Sequence, residues 1–174
     1  METFLDFLDG RHSVRHFNPR DTLPRSLAQS ILEHASQAPS GNNFQPWRVV
    51  VVRNKEKQAH LAQLAAGQVQ VKDASAVFLV FGDKLAYDLD WWQEFDLQRG
   101  AISRAEVAGK LSRIEAYFKL HPEDKDLEGL RLDVGLFAMN LMHVVRSFGY
   151  DSVPMRGADF TAIKAYLQLP ENWE

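Results

Sequence analysis

Apolar positions along this chain repeat in two ways, at helical spacing and in short unbroken runs. Phe4, Leu5 and Leu8 share one side, and Gly10 follows as a stop, which predicts a short helix from Thr3 to Asp9. Leu27, Ala28, Ile31, Leu32 and Ala35 form a stripe on a second helix that starts near Pro24 and ends at Ala38-Pro39. Lys55 to Ala66 predicts a third, stopped by Gly67. Ser103 and Glu106 have capping-box spacing and open a helix to about Leu120. The longest helix is expected from Pro122 to Phe148, closed by Gly149, and Asp159 caps a last one, Phe160 to Leu167. The unbroken runs are Arg48–Arg53, valines between two arginines, and Ala76–Phe81, both short strands buried on two faces. Asp151–Met155 is expected as a third strand. Alternating helices and short strands place the chain among α/β or α+β folds, with a thin sheet for so many helices.

The second half of the longest helix, Val134–Phe148, is apolar around most of its circumference. Such a helix belongs in the middle of a core or at a subunit interface. There is no internal repeat, low-complexity tract or linker, so residues 1–174 are expected to form one domain. With 45% hydrophobic and 25% charged residues, the chain is expected to fold around a substantial core. A net charge of -3 lends no support to nucleic-acid or acidic-membrane binding. The apolar run Val134–Val145 is broken by Asn140 and His143, and the N-terminus does not read as a signal peptide. Zero cysteines exclude disulfides, thiolate metal sites and cysteine nucleophiles, and fit a reducing cytoplasm.

Candidate chemistry concentrates in four places. In an extended Arg11-His12-Ser13-Val14-Arg15, the side chains of Arg11, Ser13 and Arg15 share a face. Two guanidinium groups flanking a hydroxyl suit a phosphate. By spacing alone, surface ion pairs with acids such as Asp6 or Asp9 are the simpler account. Pro39 to Trp47 is an ordered loop bracketed by prolines, where Gly41 allows close backbone approach and Asn43 and Gln45 offer donors and acceptors. An ordinary tight connection with an aromatic plug explains that loop equally well. Gln68 presents an amide suited to a pyrimidine-like edge, or simply a solvated loop residue. Val153 to Gly157 ends a strand with free N–H groups beside Gly157, or is a plain strand-to-helix turn. The six histidines show no ligand spacing, so no metal is expected, and His143 reads as a satisfied core histidine. With no G-x-S-x-G, P-loop or G-x-G-x-x-G, and no carboxylate pair, the pattern favours a cofactor as the carrier of the chemistry.

Taken together and in order, these segments resemble the FMN-dependent nitroreductase family. Arg11-His-Ser-Val-Arg15 is similar to its R-[RH]-S-x-R, and Ala38-Pro-Ser-Gly-Asn-Asn-Phe-Gln-Pro-Trp47 to its A-P-S-x-x-N-x-Q-P-W. Ala66-Gly-Gln68 with Val71–Ser75, and Gly149-Tyr-Asp-Ser-Val-Pro-Met-Arg-Gly157, resemble its middle and late motifs. The likeness runs from about Leu5 to Pro170. It implies an α+β fold, a central mixed sheet flanked by helices, and a homodimer with the long helix at its interface and two FMN sites built from both subunits. Carried over by position, Arg11, His12, Ser13 and Arg15 hold the phosphate, while Gln68, with Lys72, meets the pyrimidine end of the flavin. Pro39, Ser40, Gly41 and Asn43 come from the partner chain. Pro154, Met155, Arg156 and Gly157 bring a backbone N–H near flavin N5.

The implied reaction is ping-pong: NAD(P)H reduces FMN, and a nitroaromatic, quinone or similar acceptor then takes the hydride in the same place. Trp91, Tyr117 and Phe118, with Trp92 and Phe95, are candidates to stack over the flavin, against a competing reading in which most are core. Family members usually continue with another strand, a turn and a basic residue reaching the phosphate, whereas this sequence stops at Leu169–Glu174. Three rivals stay open: a degenerate flavin-binding member with little turnover, a related chemistry such as reductive dehalogenation or flavin ring cleavage, and a non-flavin phosphate ligand.

Overall fold

The computed structural model describes residues 3–174. Its contacts gather into two compact units. The first takes the chain up to Gln37, Val49–Val80 and Ala138–Glu171; the second takes Ala38–Arg48, Phe81–Phe137 and Asn172–Glu174. Strands β1 (Trp47–Val52) and β2 (Val77–Gly82) pair with each other. The Asp83 N–H donates to the Pro46 carbonyl, so the end of β2 meets the start of β1 and the strands are antiparallel.

In the first unit, α1 (Phe4–Asp9) is capped by Thr3, whose hydroxyl accepts from the Asp6 N–H while its own N–H donates to the Asp6 carboxylate. Helix α2 (Arg25–Ala35) buries the expected stripe at Ala28, Ile31 and Ala35. Helix α3 (Lys55–Leu64), capped by Asn54, stops short of Ala66 because Ala66 (φ 56°) and Gly67 (φ 74°) both turn left-handed. A short α4 (Val69–Asp73), absent from the sequence expectation, follows. Asp159 caps α8 (Phe160–Leu167) by accepting from the Ala162 N–H, as expected. The expected third strand at Asp151–Met155 does not form; it shrinks to one parallel bridge between Ser13 and Ser152. Pro154 has no N–H to continue a ladder, which accounts for the early stop.

In the second unit, α5 (Leu89–Gln98), capped by Asp88, is a helix the sequence pattern did not reveal. Helix α6 (Val107–Leu120) starts later than Ser103: only half of the expected box forms, the Glu106 carboxylate accepting from the Ser103 N–H and hydroxyl while the Glu106 N–H donates to the Ser103 carbonyl, and it closes a turn ahead of the helix. The helix expected from Pro122 is divided into a 3-10 turn, Pro122–Lys125, and α7 (Leu127–Ser147), with Asp126 extended between them. Gly129 is required there, since a Cβ would lie 2.0 Å from the Asp124 carbonyl oxygen. Helix α7 contributes residues to both units and ends at Ser147, just ahead of the left-handed Gly149 (φ 80°) expected to close it.

The second unit's core is aromatic: Phe44, Trp92, Ile102, Ile114 and Phe118 are buried together, with Tyr87 packed against them. Truncating a side chain such as Trp92 to alanine there costs about 3–5 kcal/mol. Residues Asn172–Glu174 line the free side of β2, with reciprocal backbone bonds between Gly82 and Glu174 and an antiparallel bridge from Asp83 to Trp173. The sheet is therefore extended where the sequence reading expected nothing further.

Candidate functional site

The expected site residues fall into two sets, one in each unit. In the first unit, the extended segment at Ser13 sits beside Ser152, with the Val14 N–H donating to the Ser152 carbonyl at 3.2 Å. That pairing brings the arginine segment alongside the chain that continues into Pro154, Met155, Arg156 and Gly157. The end of that chain meets Gln68, whose Nε2 donates to the Gly157 carbonyl at 3.2 Å. Gln68 is itself oriented by Gln70, which donates to Gln68 Oε1 at 2.8 Å. The Asp159 N–H, bonded to the Leu64 carbonyl at 2.9 Å, fixes the turn after Gly157 against the end of α3. Arg11–Arg15, Gln68 and Pro154–Gly157 are thus contiguous in the fold, while Lys72 stands exposed on α4.

This set carries more donors than its own chain uses. Among the described residues neither Arg11 nor Arg15 makes an ion pair, so pairing with Asp6 or Asp9 does not occur; the Asp6 carboxylate serves the α1 cap. Among the described residues the N–H groups of Arg156 and Gly157 have no acceptor. Gly157 is exposed, and the one neighbour a Cβ there would meet is Gln68 Nε2, at 3.6 Å. His12 Nδ1 donates to the Gly10 carbonyl at 3.0 Å, which pins the start of the segment. Two unpaired guanidinium groups, a free hydroxyl and unsatisfied N–H donors make a set suited to a phosphorylated ligand with a polar ring edge.

In the second unit, the Pro39–Trp47 loop is rigid for a reason the sequence did not expose. Asn42 (φ 45°), Asn43 (φ 62°) and Gln45 (φ 48°) are left-handed without being glycine. Three buried side chains, Trp92, Asp96 and Asp133, anchor the loop at Asn42, Asn43 and Gly41. Trp92 Nε1 donates to the Asn42 carbonyl at 2.7 Å, and Asn43 Nδ2 donates to Asp96 Oδ1 at 3.1 Å. Gly41 donates its N–H to Asp133 Oδ1 at 2.9 Å, while Tyr87 donates its hydroxyl to Asp133 Oδ2 at 2.9 Å. The Ser40 hydroxyl accepts from the Gln45 N–H, and Gln45 donates to the Asn43 side chain. Asn43 is therefore spent on Asp96 and on Gln45, and Gln45 on the loop itself, while Pro39 and Gly41 remain exposed.

Asp133 is only 4% exposed, and burial pushes its carboxyl above the ordinary value, with the bonds from Gly41 and Tyr87 acting against the rise. Burial, then the neighbouring Asp133 charge, pushes the Tyr87 hydroxyl far up, so it stays protonated. Sequence reasoning missed Asp133 and Asp96, although each carried a signal: a lone acid in line with apolar neighbours, Leu130 and Phe137 for one and Trp92 for the other.

A cleft of about 740 Å³ opens in this unit, floored by Pro39, Ser40, Gly41 and Asp133 and walled by α6 and α7. Tyr117, 41% exposed, lines it, and so does Phe118, though Phe118 is mostly buried in the core. Trp91 is not among the lining residues; it stacks on Phe95, with ring centroids 4.7 Å apart. Trp92 is wholly core. Among the described residues no group of three or more metal-ligating side chains comes together. His143 is not the satisfied histidine expected, since its Nδ1 is buried without a hydrogen-bond partner among the described residues.

The chain belongs to the nitroreductase family, whose profile matches residues 8–174. A nitroreductase-like protein from Streptococcus mutans is 67% identical, with a TM-score of 0.95 over 98% of this chain and 83% of that one. A candidate nitroreductase from Exiguobacterium sibiricum, solved in complex with FMN, is 30% identical with a TM-score of 0.88, covering 99% of this chain and 83% of that one. A candidate NAD(P)H nitroreductase of Bacillus subtilis (strain 168) is 33% identical over 160 residues, which are 90% of this chain and 76% of the relative. The nitroreductase-like α+β fold expected from the sequence is thereby established. Among the described residues no helix is long and apolar enough to cross a membrane.

Proposed function

We propose that this single-domain protein is an FMN-dependent oxidoreductase that draws reducing equivalents from NAD(P)H and delivers them to a nitroaromatic, quinone or similar acceptor. NAD(P)H and acceptor use one place in turn, in a ping-pong cycle. The working form is a homodimer in the cytoplasm, with each FMN site built from both subunits. Supporting the dimer, α7 exposes Leu132, Leu136 and Met139, an apolar stripe of the kind that interfaces cover.

The observation that carries the proposal is the unused donor set around Gly157: two unpaired guanidinium groups on one extended segment, and free N–H groups beside the Gln68 amide. When bound, FMN supplies two-electron acceptance and donation at its N5. On this reading Arg11, Ser13 and Arg15, with His12, hold its phosphate. Gln68 and Lys72 bind the pyrimidine edge, and a positive group there stabilises charge that develops on reduction. Pro154 and Met155 set the backbone so that the Arg156 and Gly157 N–H groups point out of the chain towards the ring. Pro39, Ser40, Gly41 and Asn43 present their loop to the FMN of the partner subunit, and Tyr117 and Phe118 border the acceptor.

The test is a spectrophotometric titration of the purified protein with FMN, followed by anaerobic NADH or NADPH. Bound flavin bands that bleach on adding the nicotinamide support the proposal. A protein that takes up no FMN overturns it. Bound flavin that neither nicotinamide bleaches favours instead a member that binds flavin without turnover.

A further inference from the structure

Cations and acids line the cleft of the second unit together, and their pairing is uneven. Lys110 and Arg113 reach it from α6, and Asp124 and Asp133 from the opposite side. Three of the four are already engaged. Lys110 Nζ lies 3.5 Å from Asp96 Oδ2 and 5.0 Å from the Trp92 ring centre. Asp133 accepts from Gly41 and Tyr87, and Asp124 accepts the Tyr117 hydroxyl. Arg113 is different: its Nε donates to the Gly109 carbonyl at 3.2 Å, and among the described residues the guanidinium makes no ion pair. Beside it the wall is apolar and aromatic, formed by Ile114, Tyr117, Leu132 and Leu136.

A ligand that fills such a cleft lays a flat apolar body against that wall and ends in an anion at the unspent guanidinium, the planar fork that matches a carboxylate. We propose that this cleft is the acceptor subsite and that Arg113 selects aromatic acceptors bearing a carboxylate. The inference rests on the oxidoreductase reading for its chemistry, because the cleft floor is the Pro39–Gly41 loop assigned above to the partner's flavin. The anion site itself depends only on Arg113 and its surroundings.

Two measurements on the FMN-supplied protein separate these claims. The first compares kcat/KM for 4-nitrobenzoate with that for its methyl ester, which is equally flat but uncharged. Wild type is expected to favour the carboxylate by about tenfold, the scale of one charge-assisted contact. The preference falls to near parity in Arg113→Gln, is partly kept in Arg113→Lys, and persists in Lys119→Gln, which removes the same charge from α6 outside the cleft lining. It also shrinks with added salt. Equal use of both acceptors by wild type, or equal losses in Arg113→Gln and Lys119→Gln, overturns the inference while leaving the oxidoreductase reading intact. The second is calorimetric titration of 4-nitrobenzoate into each variant, which needs no turnover. Binding weakened about tenfold by Arg113→Gln alone supports the anion site even if no flavin is reduced. Binding indifferent to Arg113 overturns it.

Discussion

Gln68 and Gly157, 89 positions apart, meet through a hydrogen bond from the Gln68 amide to the Gly157 carbonyl. The contact joins the turn after α3 to the end of the late V-P-M-R-G segment and leaves the Gly157 N–H free. Gly157 matters here as a gap. A Cβ at this position reaches only ordinary contact with Gln68 Nε2, at 3.6 Å, so the fold tolerates it. Gly157→Ala is therefore expected to leave thermal stability within about 0.5 kcal/mol of wild type while weakening FMN binding. Paired melting curves and fluorescence titrations check this; a large loss of stability assigns the glycine to folding instead.

Arg11 and Arg15 are expected to behave as ligand groups without structural duty. Replacing either with Gln should weaken FMN binding by about tenfold or more, given about 1.5–3 kcal/mol for a charged hydrogen bond. The melting temperature of the flavin-free protein should hardly move, because no internal ion pair is lost. An equal fall in apo stability argues against the phosphate role.

Asp133 couples loop geometry to pH. Its carboxyl titrates above the unfolded value of 3.8, so the folded state holds the proton more tightly. Stability from this group is fully present below the unfolded value and declines as pH rises through the folded one. Asp133→Asn keeps an acceptor for the Gly41 N–H without carrying charge. It should gain stability relative to wild type as pH rises from the acid range to neutrality. Asp133→Ala orphans the Gly41 N–H and should cost about 1–3 kcal/mol more than Asp133→Asn at every pH, its deficit against wild type narrowing as pH rises. Chemical denaturation at several pH values separates the two; parallel curves for wild type and Asp133→Asn contradict the coupling.

Asn43 combines a left-handed backbone with a bond to buried Asp96. Asn43→Gly loses the bond but relieves the left-handed backbone, whereas Asn43→Ala loses the bond and keeps a Cβ there without the polar side chain that lets asparagine tolerate the region. Alanine should be the more damaging of the two by about 1 kcal/mol, as read from denaturant midpoints. The reverse order would show that backbone strain at this position is negligible.

Most helices were legible because their signals are local. Thr3, Asn54 and Asp159 cap the helices that follow them, and the left-handed Gly149 lies just past the end of α7. Helix α5 escaped because its apolar residues, Leu89, Trp92, Phe95 and Leu97, mix with acids at buried and exposed positions alike. The third strand failed for a reason written in the sequence, the N–H missing from Pro154. The motif residues Arg11, Gln68 and Gly157 could be named as a set from their order, yet their adjacency came only with the fold. Asp133 lay deepest, since its partner Gly41 is 92 positions away and nothing local pairs a helix acid with a loop N–H.

Gly41, Asn42 and Asn43 are held by Asp133, Trp92 and Asp96, which lie on helices outside the loop. The loop's shape is thus inherited from its scaffold, and the scaffold is the wrong place to randomise when altering acceptor range. A library confined to Arg113, Tyr117, Leu132 and Leu136 samples the cleft wall while the floor stays fixed. One that includes Asp96 or Asp133 instead loosens the anchors of the floor in most of its members.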